Sequence, residues 1–139
     1  MIIKLPFPAH ELFPNRKNGK HWSATLRAKQ KQRSEAFVIT AAAFRKDFEI
    51  TQKKKEWPVG DIPLSLVYLT PDKRKRDADN MLAASKAMID GMAQALGIDD
   101  SRFRPILVDW VQGPQEGGLL AALGVEIISG VSYELTTKK

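Results

Sequence analysis

The sequence predicts an α/β (α+β) fold: a single small domain in which two helices pack against a mixed β-sheet. The chain has 139 residues, close to the size of one ordinary domain, and 43% of them are hydrophobic, which is enough for one core. Its apolar segments follow the order β-α-β-α-β-β, which is typical of such folds. We therefore assign residues 1–139 to one domain and expect residues 130–139 to form a flexible tail.

The first half of the chain predicts one short strand and one long helix. Residues 2–7 predict the strand, and residues 14–21 form a polar loop that contains an Asn-Gly turn. Ser23 is the expected N-cap of a helix over residues 24–48. Four apolar residues recur on this helix at spacings of three and four residues and predict one apolar face: Phe37, Ala41, Phe44 and Phe48.

The second half of the chain predicts a strand, a helix and two further strands. Residues 62–70 are rich in Leu, Val and Tyr and predict the strand. The helix is expected over residues 80–96, because Gly97 is a natural C-terminal stop. Residues 106–111 and 120–128 predict strands on either side of a turn rich in glycine, so we expect these two strands to pair as a hairpin.

Composition narrows the classes of function. The net charge of +6 and the pI near 9.7 favour polyanionic partners. The absence of Cys excludes disulfides and cysteine-zinc sites, and two His residues cannot build a His-rich metal site. No apolar run approaches the roughly 20 residues that span a bilayer, and residues 1–6 lack the pattern of a signal peptide. We expect a cytoplasmic protein with no membrane partner.

One short motif concentrates charged residues at the start of the second helix. Asp77 and Asp79 follow a basic run, and their alternation in an extended segment places both carboxylates on the same side. Asp99 and Asp100 come after the helix and could return to the same place. Carboxylate oxygens are the ligands that Mg²⁺ prefers, so the pattern predicts a divalent metal held against phosphate.

Helical periodicity separates the acidic residues from the core. With about 100° per residue, the face toward the core carries Met81, Ser85, Met88, Met92 and Ala95. The opposite face carries Asp79, Ala83, Lys86 and Asp90. The methionines are therefore expected to fill the core, and the acids and the lysine are expected to face away from it.

Each of these charged groups also has a purely structural interpretation. Asp79 could cap the helix, residues 99–101, Asp-Asp-Ser, could form a plain turn, and Lys86 with Asp90 could form a solvated pair. Carboxylates that converge without a cation would repel one another. The neighbouring arginines, Asn80 and the later acidic pair favour the interpretation as a metal site.

On these residues the chain resembles the RusA family of Holliday junction resolvases, small endodeoxyribonucleases common in phages and prophages. The resemblance is carried by residues 74–80, Arg-Lys-Arg-Asp-Ala-Asp-Asn, by Lys86 and Asp90 on the following helix, and by residues 97–100, Gly-Ile-Asp-Asp. Residues 14–22 and the order of the elements also match, so the resemblance extends over nearly the whole chain.

The resemblance implies a Mg²⁺-dependent homodimer that resolves four-way DNA junctions by paired phosphodiester hydrolysis in recombination and repair, with Mn²⁺ as a substitute cation. It assigns metal binding and catalysis to Asp77, Asp79 and the second acid of the later pair, Asp100. It also implies a catalytic lysine four residues after Asp79, where this chain has Ala83. Lys86, reached by an insertion of three residues, is the candidate for that role.

Two basic clusters are candidates for binding the backbone of branched DNA. Arg16, Lys17 and Lys20 lie in the early loop, and Arg74 and Arg76 lie at the acidic motif. For both clusters the alternative is a solvated loop.

Two other functions remain to be weighed against a nuclease. One is a non-catalytic basic nucleic-acid-binding protein, in which the acids serve as caps and turns. The other is a nucleotide-sugar transferase that binds a metal-diphosphate through Asp-x-Asp. A chain of 139 residues leaves little room for donor and acceptor sites, and no Gly-rich phosphate loop supports the transferase.

Overall fold

A computed structural model describes residues 1–14, 22–52 and 60–124. Within these ranges the helices and strands are β1 (Ile2–Leu5), α1 (Trp22–Thr51), β2 (Ile62–Thr70), α2 (Ala78–Ala84), α3 (Lys86–Leu96), β3 (Phe103–Gln112) and β4 (Gly118–Leu123). Short 3-10 helices cover His10–Leu12 and Asp100–Arg102. The predicted α+β class is confirmed. No helix in these ranges is long and apolar enough to cross a membrane.

The described residues divide into two compact units that alternate along the chain. The sheet unit contains residues 1–7, 60–75 and 102–124, and the helical unit contains residues 8–14, 22–52 and 76–101. Every acidic residue of the predicted site lies in the helical unit. The predicted tail, residues 130–139, lies outside the described residues.

The sheet is mixed, as predicted, with the strand order β1-β4-β2-β3. β2 pairs with β3 in parallel and with β4 antiparallel, and β4 pairs with β1 antiparallel. β2 occupies the predicted residues 62–70 and is buried over nearly its whole length. Because β2 is so apolar, it is more stable between two neighbouring strands than at an exposed edge of the sheet. This explains its central place.

The predicted hairpin between β3 and β4 is wrong, because β2 lies between these two strands. After β3 the chain crosses the end of β2, where Gly113 N–H donates to Thr70 O at 2.9 Å. A Cβ at Gly113 would lie 2.7 Å from the Cβ of Leu69, so this close crossing requires glycine. The turn at residues 113–117 therefore connects strands that bond to opposite edges of β2. Residues 125–128 of the predicted fourth strand lie outside the described part of the chain.

The buried face of α1 differs from the predicted one. Phe37 and Phe48 of the predicted apolar face are 38% and 47% exposed, whereas Gln32, Ala36 and Thr40 are buried. These three residues follow one another at intervals of one helical turn, and none is large. The expected N-cap, Ser23, lies inside α1, which begins at Trp22. Side-chain size, rather than hydrophobicity, selects the packed face, because α1 approaches another helix closely there.

The partner of that face is α3. A Cβ built on Gly91 would lie 2.4 Å from the backbone oxygen of Arg33 and 3.1 Å from the Cβ of Ala36. Side chains at ordinary helix contacts keep the axes about 8–10 Å apart. Here a glycine on α3 and an alanine on α1 let the two backbones meet.

The single helix predicted over residues 80–96 is broken at Ser85, which separates α2 from α3. Ser85 has φ −103° and ψ 5°, and its Oγ donates to Met81 O at 2.8 Å. The apolar periodicity continues across the break, so the sequence pattern did not reveal it. Met81, Met88 and Met92 are buried, as predicted for core residues.

We predict that Gly91→Ala lowers the free energy of unfolding by about 1–3 kcal/mol, the range for overpacked sites. Glycine in a helix interior normally costs about 0.5–1 kcal/mol relative to alanine, so the expected sign is the reverse of the usual one. Urea unfolding followed by circular dichroism measures the change. Gln94→Ala, on the exposed side of α3, is the control and should stay within about 0.5 kcal/mol of wild type. A Gly91→Ala variant as stable as wild type would contradict the close contact.

Candidate functional site

Asp77 and Asp79 lie at the N-terminal end of α2 with their carboxylates exposed. Asp77 occupies the N-cap position, but its side chain makes no capping hydrogen bond. Its Oδ2 instead accepts from Nδ2 of Asn80 at 3.3 Å. Asp79 lies in the first turn of the helix, where a negative charge interacts favourably with the helix dipole. The backbone of α2 therefore leaves the carboxylate of Asp77 to other partners.

The second acidic pair follows a sharp reversal after α3. Gly97 adopts the left-handed conformation at φ 69°, and Ile98 N–H donates to Ala93 O at 3.0 Å. This arrangement ends the helix, as predicted for Gly97. The carboxylate of Asp99 then accepts from the backbone N–H of Ser101 at 2.8 Å and stabilises the turn. The turn interpretation thus holds for residues 99–101, where Asp100 begins the 3-10 helix and the carboxylate of Asp99 is used inside the turn.

Lys86, the first residue of α3, contacts one carboxylate within this helix and one beyond its end. Its Nζ donates to Oδ1 of Asp90 at 3.1 Å and to Oδ2 of Asp100 at 2.5 Å. The contact with Asp90 is the expected pair one turn along the helix. The contact with Asp100 crosses 14 positions of the chain and depends on the reversal at Gly97. Lys86 therefore lies between two carboxylates on an exposed face of the helical unit.

These contacts change the ionisation of both partners. The hydrogen bond from Lys86 holds the pKa of Asp100 below its ordinary value, and contacts with Asp90 and Asp99 act in the same direction. The hydrogen bond to Asp100 raises the pKa of Lys86, although partial burial opposes this effect. At neutral pH the pair is consequently a carboxylate and an ammonium ion.

A fourth charged residue reaches the same cluster from α1. Nη2 of Arg33 lies 3.9 Å from Oδ2 of Asp90. Asp90 thus has a cation on either side, Arg33 and Lys86, and Lys86 in turn has a carboxylate on either side. We call Arg33, Asp90, Lys86 and Asp100 the charge network.

The predicted metal ligands have suitable chemistry, but they do not form a group of three in the described part of the chain. Asp77, Asp79 and Asp100 offer the oxygen donors that Mg²⁺ prefers. Among residues 1–14, 22–52 and 60–124, however, no three Asp, Glu or His side chains form a group that could hold a metal ion. Within the helical unit, Asp100 contacts Lys86, and Asp77 and Asp79 lie at the start of α2.

The predicted DNA contacts are only partly described. Arg16, Lys17 and Lys20 lie outside the described residues. Arg74, in the sheet unit, is held by Asp72, whose carboxylate accepts from its Nε at 3.1 Å and from its backbone N–H at 2.9 Å. Arg76 lies in the helical unit and is half-buried. The basic run at the motif is therefore ordered in part by its own acidic neighbour.

Two residues of α1 were not predicted from the sequence as site residues: Arg33, which belongs to the charge network, and Gln32, which precedes it in the chain. Gln32 is buried, and its side chain bonds to the backbone on both sides of the break at Ser85. A signal was present: Gln32, Ala36 and Thr40 form a line of small or polar residues at helical spacing. Such a line indicates close contact between helices rather than a solvated face.

Comparison with known proteins places the chain in a family. It is 33% identical over 112 residues to a protein of Xylella fastidiosa described as an uncharacterized protein, and the match covers 79% of this chain and 68% of the relative. The chain belongs to the family of that protein. No family model matches the chain. The description of the relative names no activity or substrate, so function has to be argued from the site.

The contact between Lys86 and Asp100 predicts a specific pH dependence of stability. A lowered pKa of Asp100 contributes stability that is complete above the ordinary value of 3.8 and is lost as the pH falls through the pKa of the folded protein. We expect Asp100→Asn to lower the free energy of unfolding by about 0.5 kcal/mol at neutral pH, the order for exposed pairs.

The difference between wild type and Asp100→Asn should shrink as the pH falls below 3.8. Urea unfolding at a series of pH values measures it. Asp61→Asn, which changes an exposed aspartate before β2, is the control and should show no such trend. A difference that stays constant down to the lowest pH would contradict the contact.

Proposed function

We propose that this chain is a Mg²⁺-dependent, structure-specific endodeoxyribonuclease that resolves four-way DNA junctions in the cytoplasm. The observation that carries the proposal is the contact between Lys86 and Asp100. It joins the lysine of the helix to the second acid of the later pair, two features that the resemblance to RusA resolvases implies for one site.

Lys86 is well placed to act on a phosphate oxygen. An ammonium group has three N–H donors, and two of those of Lys86 go to Asp90 and Asp100. The side chain remains 65% exposed, so its third donor is accessible from solvent. Lys86 lies three positions beyond the position that the family's lysine would occupy, Ala83, and the break at Ser85 separates the two. We assign it the role of stabilising negative charge on the phosphate or on the leaving oxygen.

The acids complete the proposed site. Asp77, Asp79 and Asp100 would hold Mg²⁺, with Mn²⁺ as a substitute, and a bound cation of this kind polarises a phosphate and lowers the pKa of a water ligand. The side chain of Asp77 makes no capping bond, and the side chain of Asp79 makes no hydrogen bond or ion pair within the described residues. Both carboxylates are therefore accessible to a cation.

Charge and symmetry support the proposed substrate and assembly. The net charge of +6 favours a polyanion, and Arg16, Lys17, Lys20, Arg74 and Arg76 are assigned to the DNA backbone. A junction presents two symmetric strands for cleavage, which a two-fold homodimer matches. The exposed apolar side chains of Phe37 and Phe48 on α1 offer a surface for a second copy.

A non-catalytic nucleic-acid-binding protein is the second candidate. It is favoured by the absence of a group of three metal-binding acids among the described residues. In the charge network, moreover, each carboxylate already has a positively charged side chain beside it, without a metal ion. In this alternative Asp100 and Asp90 serve only to hold Lys86.

Cleavage of a synthetic four-way junction tests the proposal. Wild type should cut the junction in Mg²⁺ and not in EDTA, and it should leave a linear duplex of the same arm sequence intact. Asp79→Asn should slow cleavage by at least about a hundredfold, as expected for loss of a metal contact, while binding to the junction is retained. Asp61→Asn is the matched control and should cut at the wild-type rate.

The outcomes of this assay separate the candidates. Equal cutting of junction and duplex would reject the resolvase while retaining a nuclease. Binding to the junction without Mg²⁺-dependent cutting, in wild type, would favour the non-catalytic alternative.

Metal binding can be measured without cleavage. Calorimetric titration of the free protein with Mn²⁺ should show binding that Asp77→Asn and Asp79→Asn each weaken by about tenfold or more. Asp61→Asn should bind like wild type. Equal binding by all four proteins would place any metal elsewhere than at the start of α2.

A further inference from the structure

We infer that Gln32 of α1 is a positioning residue for Lys86. The inference rests on the proposed function, because it concerns the lysine that is assigned there to the phosphate. Both hydrogen bonds of the Gln32 side chain go to backbone groups beside Lys86. Gln32 therefore acts on Lys86 through the break between α2 and α3, not by contact with a substrate.

The side chain of Gln32 bridges this break. Its Nε2 donates to Ala84 O, at the end of α2, at 3.1 Å. Its Oε1 accepts from the backbone N–H of Met88, in the first turn of α3, at 3.1 Å. Gln32 is only 8% exposed, so water is no ready substitute for either bond. One amide thus satisfies a helix-end carbonyl and a helix-start N–H that would otherwise need partners.

The two bridged groups are the natural partners of each other. In an uninterrupted α-helix the N–H of Met88 would donate to the carbonyl of Ala84, four residues earlier. The Gln32 amide is inserted between them and replaces one backbone hydrogen bond by two to a side chain. Insertion of a side chain into the helical ladder is a recognised cause of sharp kinks. The break at Ser85 is thereby attributed to a residue of α1.

Lys86 lies inside the interval that Gln32 spans, between Ala84 and Met88. Its backbone is therefore displaced from the path of a continuous helix, and its Nζ reaches Asp100 from this displaced position. α1 approaches α3 at a second point close by, since a Cβ at Gly91 would overlap the backbone oxygen of Arg33. The hydrogen bonds of Gln32 and the close approach at Gly91 together determine the position of the first turn of α3, which carries Lys86.

Gln32→Leu removes both hydrogen bonds and allows the bond from Met88 N–H to Ala84 O to re-form. We expect cleavage of the junction to slow by about tenfold or more, as a displaced catalytic group would produce. In the Lys86→Met background, Gln32→Leu should cause less than about a twofold further loss, because residues that act through one another are not additive. Met92→Ala, a buried change on α3, is the control and should slow both backgrounds alike.

A purely structural role gives a different result. If Gln32→Leu slows cleavage by the same factor with and without Lys86, measured at a temperature where all variants are folded, the inference is overturned. Cleavage by Gln32→Leu at the wild-type rate would overturn it as well.

A second measurement does not require cleavage and separates failure of the inference from failure of the proposed function. Lys86→Met and Asp100→Asn, singly and together, give the coupling of the pair as a shift in the urea midpoint. The coupling should be measurable with Gln32 present and should be lost in the Gln32→Leu background. Coupling that persists unchanged in that background overturns the inference. If wild type does not cut the junction, this measurement still decides the role of Gln32.

Discussion

The close approach of α1 and α3 at Gly91 is the constraint on which the helical unit depends. Only where the two backbones meet can a side chain as short as that of Gln32 reach main-chain groups on both sides of Ser85. The same approach brings Arg33 to Asp90. The break between α2 and α3 and the ion pair of Arg33 with Asp90 are therefore both consequences of the close contact between α1 and α3.

The charge network shows how a helical surface can keep several carboxylates without mutual repulsion. Cations and carboxylates alternate from Arg33 through Asp90 and Lys86 to Asp100, so each charge has an opposite neighbour. Exposed pairs of this kind contribute little to stability individually. The network also keeps one lysine between two carboxylates, which is the arrangement that the proposed nuclease site requires. The description of the Xylella fastidiosa relative names no activity, so the argument rests on the site, because function is carried by sites rather than by folds.

Much of the fold was predictable from local patterns, and the rest depended on contacts between distant residues. The strand at residues 62–70 and the stop at Gly97 follow from runs of apolar residues and from backbone preference. The pairing of β3 could not be predicted, since a turn rich in glycine suits a crossing as well as a hairpin. The same holds for the candidate site. Helical periodicity predicts that Lys86 and Asp90 share one face of a helix, whereas the hydrogen bonds from Gln32 depend on a helix distant in the sequence.

The sheet order has a consequence for the synthesis of the protein. β1 pairs Ile2 with Ala122, so this strand leaves the ribosome long before β4, the neighbour to which it bonds. The central strand β2 must likewise wait for partners on both edges, and both follow it in the chain. The helical unit ends at residue 101, before β3 and β4 begin, so its helices can pack together earlier. A nascent chain therefore carries unpaired apolar strands until β4 has been made, which is the interval in which aggregation is most favoured.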